Sequence, residues 1–309
     1  MLALVGESGS GKSVTGKAIL GLLPDNANVL SGSIRYRGMN ILGLGEVEMT
    51  RIRGKRISVV PQDPFLSLDP ITRVGKQIEE GIPANSERGR VKQNEVKAEA
   101  LRLMREVGIR DPDSRYNNYP FELSGGLRQR IAIAAALAPS PEILICDEPT
   151  TALDVTIEAQ ILDLFLRLKS ERRLSMIFIT HDLGVVARVA DRVAVMYAGK
   201  IVEVGGVDEI FYNPKHPYTV ALLSSLPSSG AGRLKPIPGA VPDMRHPPRG
   251  DAFALRNDEA LKIDYYIEPP FFDVSETHKV ASWSYYKEIR DKEREAGDNG
   301  DACQENQDY

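Results

Sequence analysis

Short apolar runs alternate with amphipathic stretches from the first residue. Met1 to Val5 is an apolar run; a glycine-rich turn follows, and then Val14, Ala18, Ile19 and Leu22 recur at helical spacing until Pro24 interrupts them. The pattern predicts strand, loop, helix. Ser33 to Tyr36 and Met39 to Leu42 flank Arg37 and Gly38 and predict a small hairpin, and Ile57 to Val60 predicts a buried strand running straight into Pro61, Gln62, Asp63 and Pro64. From Phe65 to about Asn117 the alternation stops. Val96, Ala100, Leu103, Met104 and Val107 share one face of a helix over 91–107 closed by Gly108, and a second helix carries Ile131, Ala134, Ala135 and Ala138 on its apolar face. The alternation then resumes. Ile143 to Cys146 and Met176 to Ile179 predict core strands around a helix with Ile157, Ile161, Leu164, Phe165 and Leu168 facing inward. Arg192 to Tyr197 and Lys200 to Val204 predict a hairpin turning at Ala198 and Gly199, with a further element over 207–212. Strands separated by helices predict an α/β fold with a mostly parallel core sheet, into which residues of about 65–140 are inserted as a helical subdomain.

The chain has 309 residues, of which 42% are hydrophobic and 27% charged, material for one large or two smaller globular domains. A formal net charge of -4 gives no general electrostatic reason to bind nucleic acid or an anionic membrane surface. Cys146 and Cys303 stand far apart; they supply neither a disulfide framework nor a four-cysteine metal site, and they fit a reducing compartment. No apolar run approaches the roughly 18 to 20 residues that cross a bilayer. The start carries no basic region followed by a cleavage site, so membrane contact is expected only through partner proteins.

The sharpest chemistry lies in the first turn. Gly6, Glu7, Ser8, Gly9, Ser10, Gly11, Lys12 and Ser13, leading into Val14, have the spacing of a phosphate-binding loop between strand and helix. Glycines let the backbone approach closely, and free N–H groups with the positive end of the helix suit a polyphosphate. Lys12 would reach the β- and γ-phosphates, and the Ser13 hydroxyl would take one position on a magnesium ion. A flexible Gly/Ser turn is the bland alternative. Asp147 and Glu148 end a core strand: beside the phosphate loop the first could hold Mg2+ and the second orient the attacking water, and otherwise they are two solvated turn acids. Gln62, fenced by prolines at a strand end, stands where ligands meet open α/β sheets, though a turn residue reads equally well. Ser124, before Gly125 and Gly126, is a helix N-cap that by itself needs no further role. His181, at the end of another apolar strand, reads alone as a structural histidine.

Taken in order, these segments resemble the ATP-binding subunits of ABC transporters over nearly all of residues 1–285. The resemblance identifies Gly6 to Ser13 as Walker A, Gln62 as the Q-loop residue, and Leu123, Ser124, Gly125, Gly126 and Leu127 as the signature. It further identifies Ile143 to Asp147 as Walker B, Glu148 as the catalytic carboxylate, Asp154 as the D-loop residue and His181 as the switch histidine. Leu127 stands where a glutamine is common, and an apolar residue there is usual in this subgroup. The stretch Asn213, Pro214, Lys215, His216, Pro217, Tyr218, Thr219, then Leu222, Leu223, Ser225, Leu226 and Pro227, then Ile237, Pro238 and Gly239, resembles the extension of oligopeptide and dipeptide importer ATPases. Many members carry four cysteines there for an iron–sulfur cluster. Here those places fall on Asp251, Asn257, Asp264 and Ser282, so no cluster is expected, because hard oxygen ligands do not replace thiolates. The region resembles the cysteine-free version found in Gram-positive bacteria.

The resemblance implies a P-loop NTPase fold with an ATPase domain over 1–212, an extension over 213–285 and a charged tail over 286–309, expected to be a solvated helix fraying into disorder. It implies ATP and Mg2+ as ligands, the ion on Ser13, Gln62 and Asp147, with Glu148, His181 and Gln62 as the catalytic set. It also implies a head-to-tail pair in which Ser124, Gly125 and Gly126 cover the ATP of a second, paralogous ATPase. Two membrane permease subunits and an extracellular solute-binding protein complete the assembly at the cytoplasmic face of the membrane, with no nucleic acid. Members of the family carry further strands before the loop and an aromatic residue that stacks on adenine, so the chain reads as truncated at its start. Import of nickel or another solute, a soluble ABC protein acting on ribosomes or DNA, and a non-hydrolysing remnant are the alternative functions.

Overall fold

The apolar runs become strands. The computed structural model describes residues 1–82, 93–151, 153–225 and 237–291. It divides into two compact units, residues 1–4 with 12–190 and residues 5–11 with 191 onward.

In the first unit the strands are β1 (Leu2–Val5), β2 (Arg35–Tyr36), β3 (Met39–Asn40), β4 (Ile57–Val60), β5 (Ile143–Asp147) and β6 (Ser175–Thr180). The helices are α1 (Lys12–Ile19), α2 (Glu46–Ile52), α3 (Pro64–Ser67), α4 (Val74–Gly81), α5 (Gln93–Glu106), α6 (Pro112–Arg115), α7 (Gly125–Leu137), α8 (Val155–Arg172) and α9 (Leu183–Val189). The core sheet runs β4, β5, β6, β1, and the β4–β5 and β5–β6 pairs are parallel, with Ile57 opposite Ile143 and Ile143 opposite Ser175. Leu144, Ile145 and Cys146 of β5 are wholly buried, as befits a central strand of a parallel sheet covered on both faces. On α8, Ile161, Leu164, Phe165 and Leu168 face inward as the spacing predicts, and Phe165 meets Phe178 edge-on at 5.5 Å between ring centres.

Two helical faces differ from the sequence pattern. α1 ends at Ile19, short of Leu22; on it Val14 is exposed and Lys12 and Gly16 are buried, and beyond it Leu20 is buried and Leu22 exposed. The cause is close packing on the sheet: a Cβ on Gly16 would lie 3.3 Å from Ile179 and 3.5 Å from Ile145, so the helix turns its smallest residue inward. On α7, Gln129, Ile131, Ala132, Ile133, Ala134, Ala136 and Leu137 are all buried, whereas Ala135 is half-buried. A helix enclosed from nearly every side has no single apolar face to read. The predicted face of α5 is buried as expected, with positions 91 and 92 outside the described residues. Gly108 closes that helix at φ 79°, and the Ile109 N–H returns to the Met104 carbonyl at 2.9 Å. In the inserted helices the Tyr116 hydroxyl donates to buried Glu79. The hairpin of β2 and β3 is shorter than predicted, two residues a side around Arg37 and Gly38.

The second unit holds β7 (Arg192–Tyr197), β8 (Lys200–Gly206), α10 (Val207–Tyr212), α11 (Pro217–Ser224), β9 (Phe272–Asp273) and β10 (Lys279–Val280). β7 and β8 form the predicted antiparallel hairpin, and Ala198 and Gly199 take φ 45° and 82°, the left-handed pair that a two-residue turn requires. β10 pairs antiparallel with β8 and with β9. Residues 191–212, read above as the end of the ATPase domain, cluster with the residues that follow them. Residues 226–236 and 292–309 lie outside the description, the latter being most of the predicted tail. Residues 283–291 are helical, and the Tyr286 ring stacks on Phe272 at 5.3 Å.

Candidate functional site

Within the first unit, parallel strands end side by side, and the residues after β4, β5 and β6 meet. Glu148 follows β5 with its backbone at φ 45°, its N–H bonded to the Ile179 carbonyl at 2.9 Å. That left-handed turn directs the carboxylate to three donors. Gln62 Nε2 and the Thr151 hydroxyl each donate to Glu148 Oε2 at 3.1 Å, and His181 Nδ1 lies 3.2 Å from Oε1. The Glu148 side chain is only 14% exposed, while the His181 ring is 58% exposed and keeps its other edge in solvent. Three of the predicted residues therefore converge, and the fourth, Thr151, went unread. It stands three residues after Glu148 in the same turn, with its N–H on the Glu148 carbonyl at 3.2 Å, so its spacing was a usable signal.

Asp147 is the last residue of β5 and accepts a hydrogen bond of 2.9 Å from the Ser13 hydroxyl in the first turn of α1. Burial pushes the Asp147 carboxyl above the usual carboxylate range, Glu148 adds to this, and the Ser13 bond with Lys17 and Lys12 opposes it. Lys12 is buried. A cleft of about 440 Å³ opens here, lined by Ser13, Lys17, Leu20, Gln62, Leu66 and Asp147 among others. Hydroxyl, carboxylate and amide oxygens on one cleft are the hard donors that suit Mg2+.

The signature residues stand at the start of α7. Ser124 occupies the N-cap position, yet among the described residues its exposed hydroxyl makes no capping bond. Leu123 is buried, Leu127 packs on the core, and a Cβ on Gly126 would fall 2.7 Å from Ile157 of α8. Gly125 is exposed. Asp154 does cap: its carboxylate accepts the Ile157 N–H at 3.0 Å at the head of α8. Ala152, its neighbour in the D-loop, lies outside the described residues.

In the second unit Gly6 is buried, Ser8 and Gly9 are exposed, and Ser10 is buried with its carbonyl on the Gly199 N–H at 2.9 Å. The four places where cysteines would stand are each turned to a local backbone N–H. Asp251 accepts from Phe253 at 2.9 Å, Asn257 from Glu259 at 3.1 Å, Asp264 from Leu261 at 2.6 Å and Ser282 from Tyr285 at 3.4 Å. Oxygen side chains engaged as turn caps do not fit a cluster held by thiolates.

Asp251 faces His216, whose Nδ1 accepts the Tyr218 N–H at 3.0 Å; the ring proton is thus on Nε2, 3.7 Å from Asp251 Oδ2. Burial pushes the Asp251 carboxyl up to about 6, aided by Asp264, and pushes the His216 imidazole down to about 4. Between pH 4 and 6 the folded chain keeps a proton on Asp251 that the unfolded chain has released, which makes stability fall as pH rises. Over the same range it lacks a proton on His216 that the unfolded chain carries, which makes stability rise. The two slopes cancel. Asp251→Asn keeps the Phe253 cap and removes the first slope, so its unfolding free energy relative to that of the parent should climb by about 3 kcal/mol from pH 4 to 6.5. Denaturant titrations of both chains at several pH values check this; a difference that does not change with pH would show that Asp251 is ionised in the folded chain.

A family model described as ABC transporter matches residues 1–151, and one described as oligopeptide/dipeptide transporter, C-terminal region, matches residues 202–263. The oligopeptide transport ATP-binding protein OppD of Bacillus subtilis is 55% identical over 286 residues, covering 91% of this chain and 79% of that protein. The dipeptide transport ATP-binding protein DppD of Lactococcus lactis is 55% identical over 284 residues, covering 91% of this chain and 81% of that protein. A solved dimeric ATP-binding cassette in a post-hydrolysis state, bound to ADP and Pi, aligns with a TM-score of 0.59 at 28% identity over 67% of this chain and 85% of its own. By its sequence over most of its length, and by the fold of its cassette, the chain belongs to the ABC transporter family, among the ATP-binding proteins of oligopeptide and dipeptide transport.

Proposed function

We propose that this chain hydrolyses ATP to power the uptake of oligopeptides or dipeptides through an ABC transporter. The observation that carries the reading is the polar cluster at the strand ends: Glu148 receives Gln62, Thr151 and His181, while Asp147 receives Ser13. In this reading the loop over Gly6 to Ser13 is the β- and γ-phosphate site, with the Lys12 ammonium as the counter-charge. Ser13, Gln62 and Asp147 are the residues that would hold Mg2+, which supplies neutralisation of phosphate charge. Glu148 accepts a hydrogen bond from the attacking water and orients it. Gln62 and Thr151 hold that carboxylate in place, and His181, its ring exposed beside Glu148, would turn a ring N–H to the γ-phosphoryl oxygens. Positioning and charge stabilisation provide most of the rate.

Ser124, Gly125 and Gly126 form a surface on which, among the described residues, the Ser124 hydroxyl makes no capping bond, and they cover the ATP of a second, paralogous ATPase. ATP then joins the two subunits and its hydrolysis releases them. Two permease subunits receive this motion and an extracellular binding protein delivers the peptide. The chain sits on the cytoplasmic face through the permeases; among the described residues no helix is long and apolar enough to cross a membrane.

A fluorescent ATP analogue titrated into the full chain with Mg2+ tests the reading. The parent chain binds, and Lys12→Ala weakens binding by at least about tenfold, the loss of a charge-assisted phosphate contact. Ser124→Ala keeps both affinity and stability, since no capping bond worth the usual ~1 kcal/mol is lost, but no longer associates with the partner ATPase on addition of ATP. Failure of the parent to bind, or association of Ser124→Ala at the parental nucleotide concentration, would sink it.

A further inference from the structure

The phosphate loop is fastened from behind by residues of the C-terminal extension. All of them belong to the second unit. The Arg256 guanidinium, 4% exposed, grips the Glu7 carboxylate as a fork, with Nη1 to Oε2 at 2.6 Å and Nη2 to Oε1 at 3.1 Å. Its Nε donates to the Pro238 carbonyl at 2.7 Å and its Nη1 also reaches the Tyr197 hydroxyl at 3.1 Å, so the fork is itself held rigid. The Glu7 N–H donates to the hydroxyl of fully buried Tyr218 at 2.8 Å. Tyr218 is locked by rings, 4.5 Å from Tyr197 and 5.4 Å from Phe253 between centres.

Glu7 is an odd residue for its place. A carboxylate in a loop that receives polyphosphate repels the ligand, the reverse of what a helix N-terminus offers an anion. Its pairing removes that difficulty. The Glu7 charge is matched by a buried guanidinium, and its carboxylate and N–H together anchor the loop at two points about which Ser8 to Gly11 can be held in shape.

We infer that Arg256 and Tyr218 are positioning residues for nucleotide binding: the extension holds the Gly6 to Gly11 backbone in its phosphate-receiving conformation and neutralises Glu7. The inference rests on the reading of this loop as the ATP site. It assigns to the C-terminal region a task at the ATP itself, in addition to any contact that region makes with other subunits.

The test uses the full chain, a fluorescent ATP analogue with Mg2+, and thermal unfolding without nucleotide. Arg256→Gln is expected to raise the nucleotide Kd by about tenfold, because it leaves the Glu7 charge unmatched. Glu7→Gln removes the charge together with the fork and is expected to raise Kd about threefold, and Glu7→Gln combined with Arg256→Gln is also expected to fall to about threefold, below the loss in Arg256→Gln alone. Tyr218→Phe removes only the hydroxyl; it raises Kd about threefold, keeps the apo melting temperature within a few degrees, and speeds hydrogen exchange of the Glu7 amide. This last variant keeps the idea testable if Arg256→Gln folds poorly. Parental affinity in Arg256→Gln, no recovery in the double variant, or parental affinity in Tyr218→Phe overturns the inference while leaving the ATP site intact. A parent chain that binds no nucleotide overturns both.

Discussion

Glu148→Gln is expected to lower ATP turnover by about 10²- to 10⁴-fold, the range for loss of a positioned base, with nucleotide affinity held within a few-fold of the parent. Glutamine has the size of glutamate and can still accept from Gln62, Thr151 or His181, so the strand end should keep its shape. In the proposed mechanism, what it lacks is the negative charge that would turn a water toward the γ-phosphoryl group, an interaction realised only on the way to the transition state. Removing such an interaction lowers kcat and spares binding. Phosphate release by the assembled transporter, set beside titration of a fluorescent nucleotide, checks the split. Equal losses in turnover and affinity would place Glu148 in the frame of the pocket rather than in the chemistry.

Gly6→Ala is expected to cost about 3 kcal/mol or more of stability, the upper range for overpacking against atoms that cannot yield, and to abolish measurable nucleotide binding. A Cβ at position 6 would lie 2.0 Å from the Met196 carbonyl oxygen and 3.1 Å from its carbon, both backbone atoms, with φ at 155°. A flexible side chain could move aside; a strand of the β7–β8 hairpin cannot without breaking its own ladder. Gly9→Ala makes the informative contrast, since among the described residues no atom beyond its chain neighbours lies within 4 Å of its Cβ and its φ of 81° opposes the change. That variant should lose about 1 to 2 kcal/mol, the ordinary cost of a left-handed residue. Denaturant unfolding of both variants with nucleotide titration separates the cases, and equal penalties would mean that backbone angle alone, and not the Met196 approach, selects the glycine.

The chain's own pattern carried much of this. Strand positions in β4, β5, β6 and the β7–β8 hairpin follow from short apolar runs whose length and turn residues leave few other solutions. The buried face of α5 follows from its periodicity, and the left-handed turn at Ala198 and Gly199 from the hairpin itself. That Asp147, Glu148, Gln62 and His181 stand at or just past strand ends was legible because strand ends follow from residue type and sequence order, both of which are local. Only tertiary structure decided the rest. It set which face of α1 is buried, because Gly16 must yield to Ile145 and Ile179 on the sheet. Enclosure of α7 on nearly every side erased the amphipathic signal by which a helix face is read. Arg256 reached Glu7 across 249 positions of sequence. Periodicity records how a segment meets a generic apolar core, whereas such pairings depend on where the folded chain brings distant side chains within about 3 Å, and no local pattern encodes that distance.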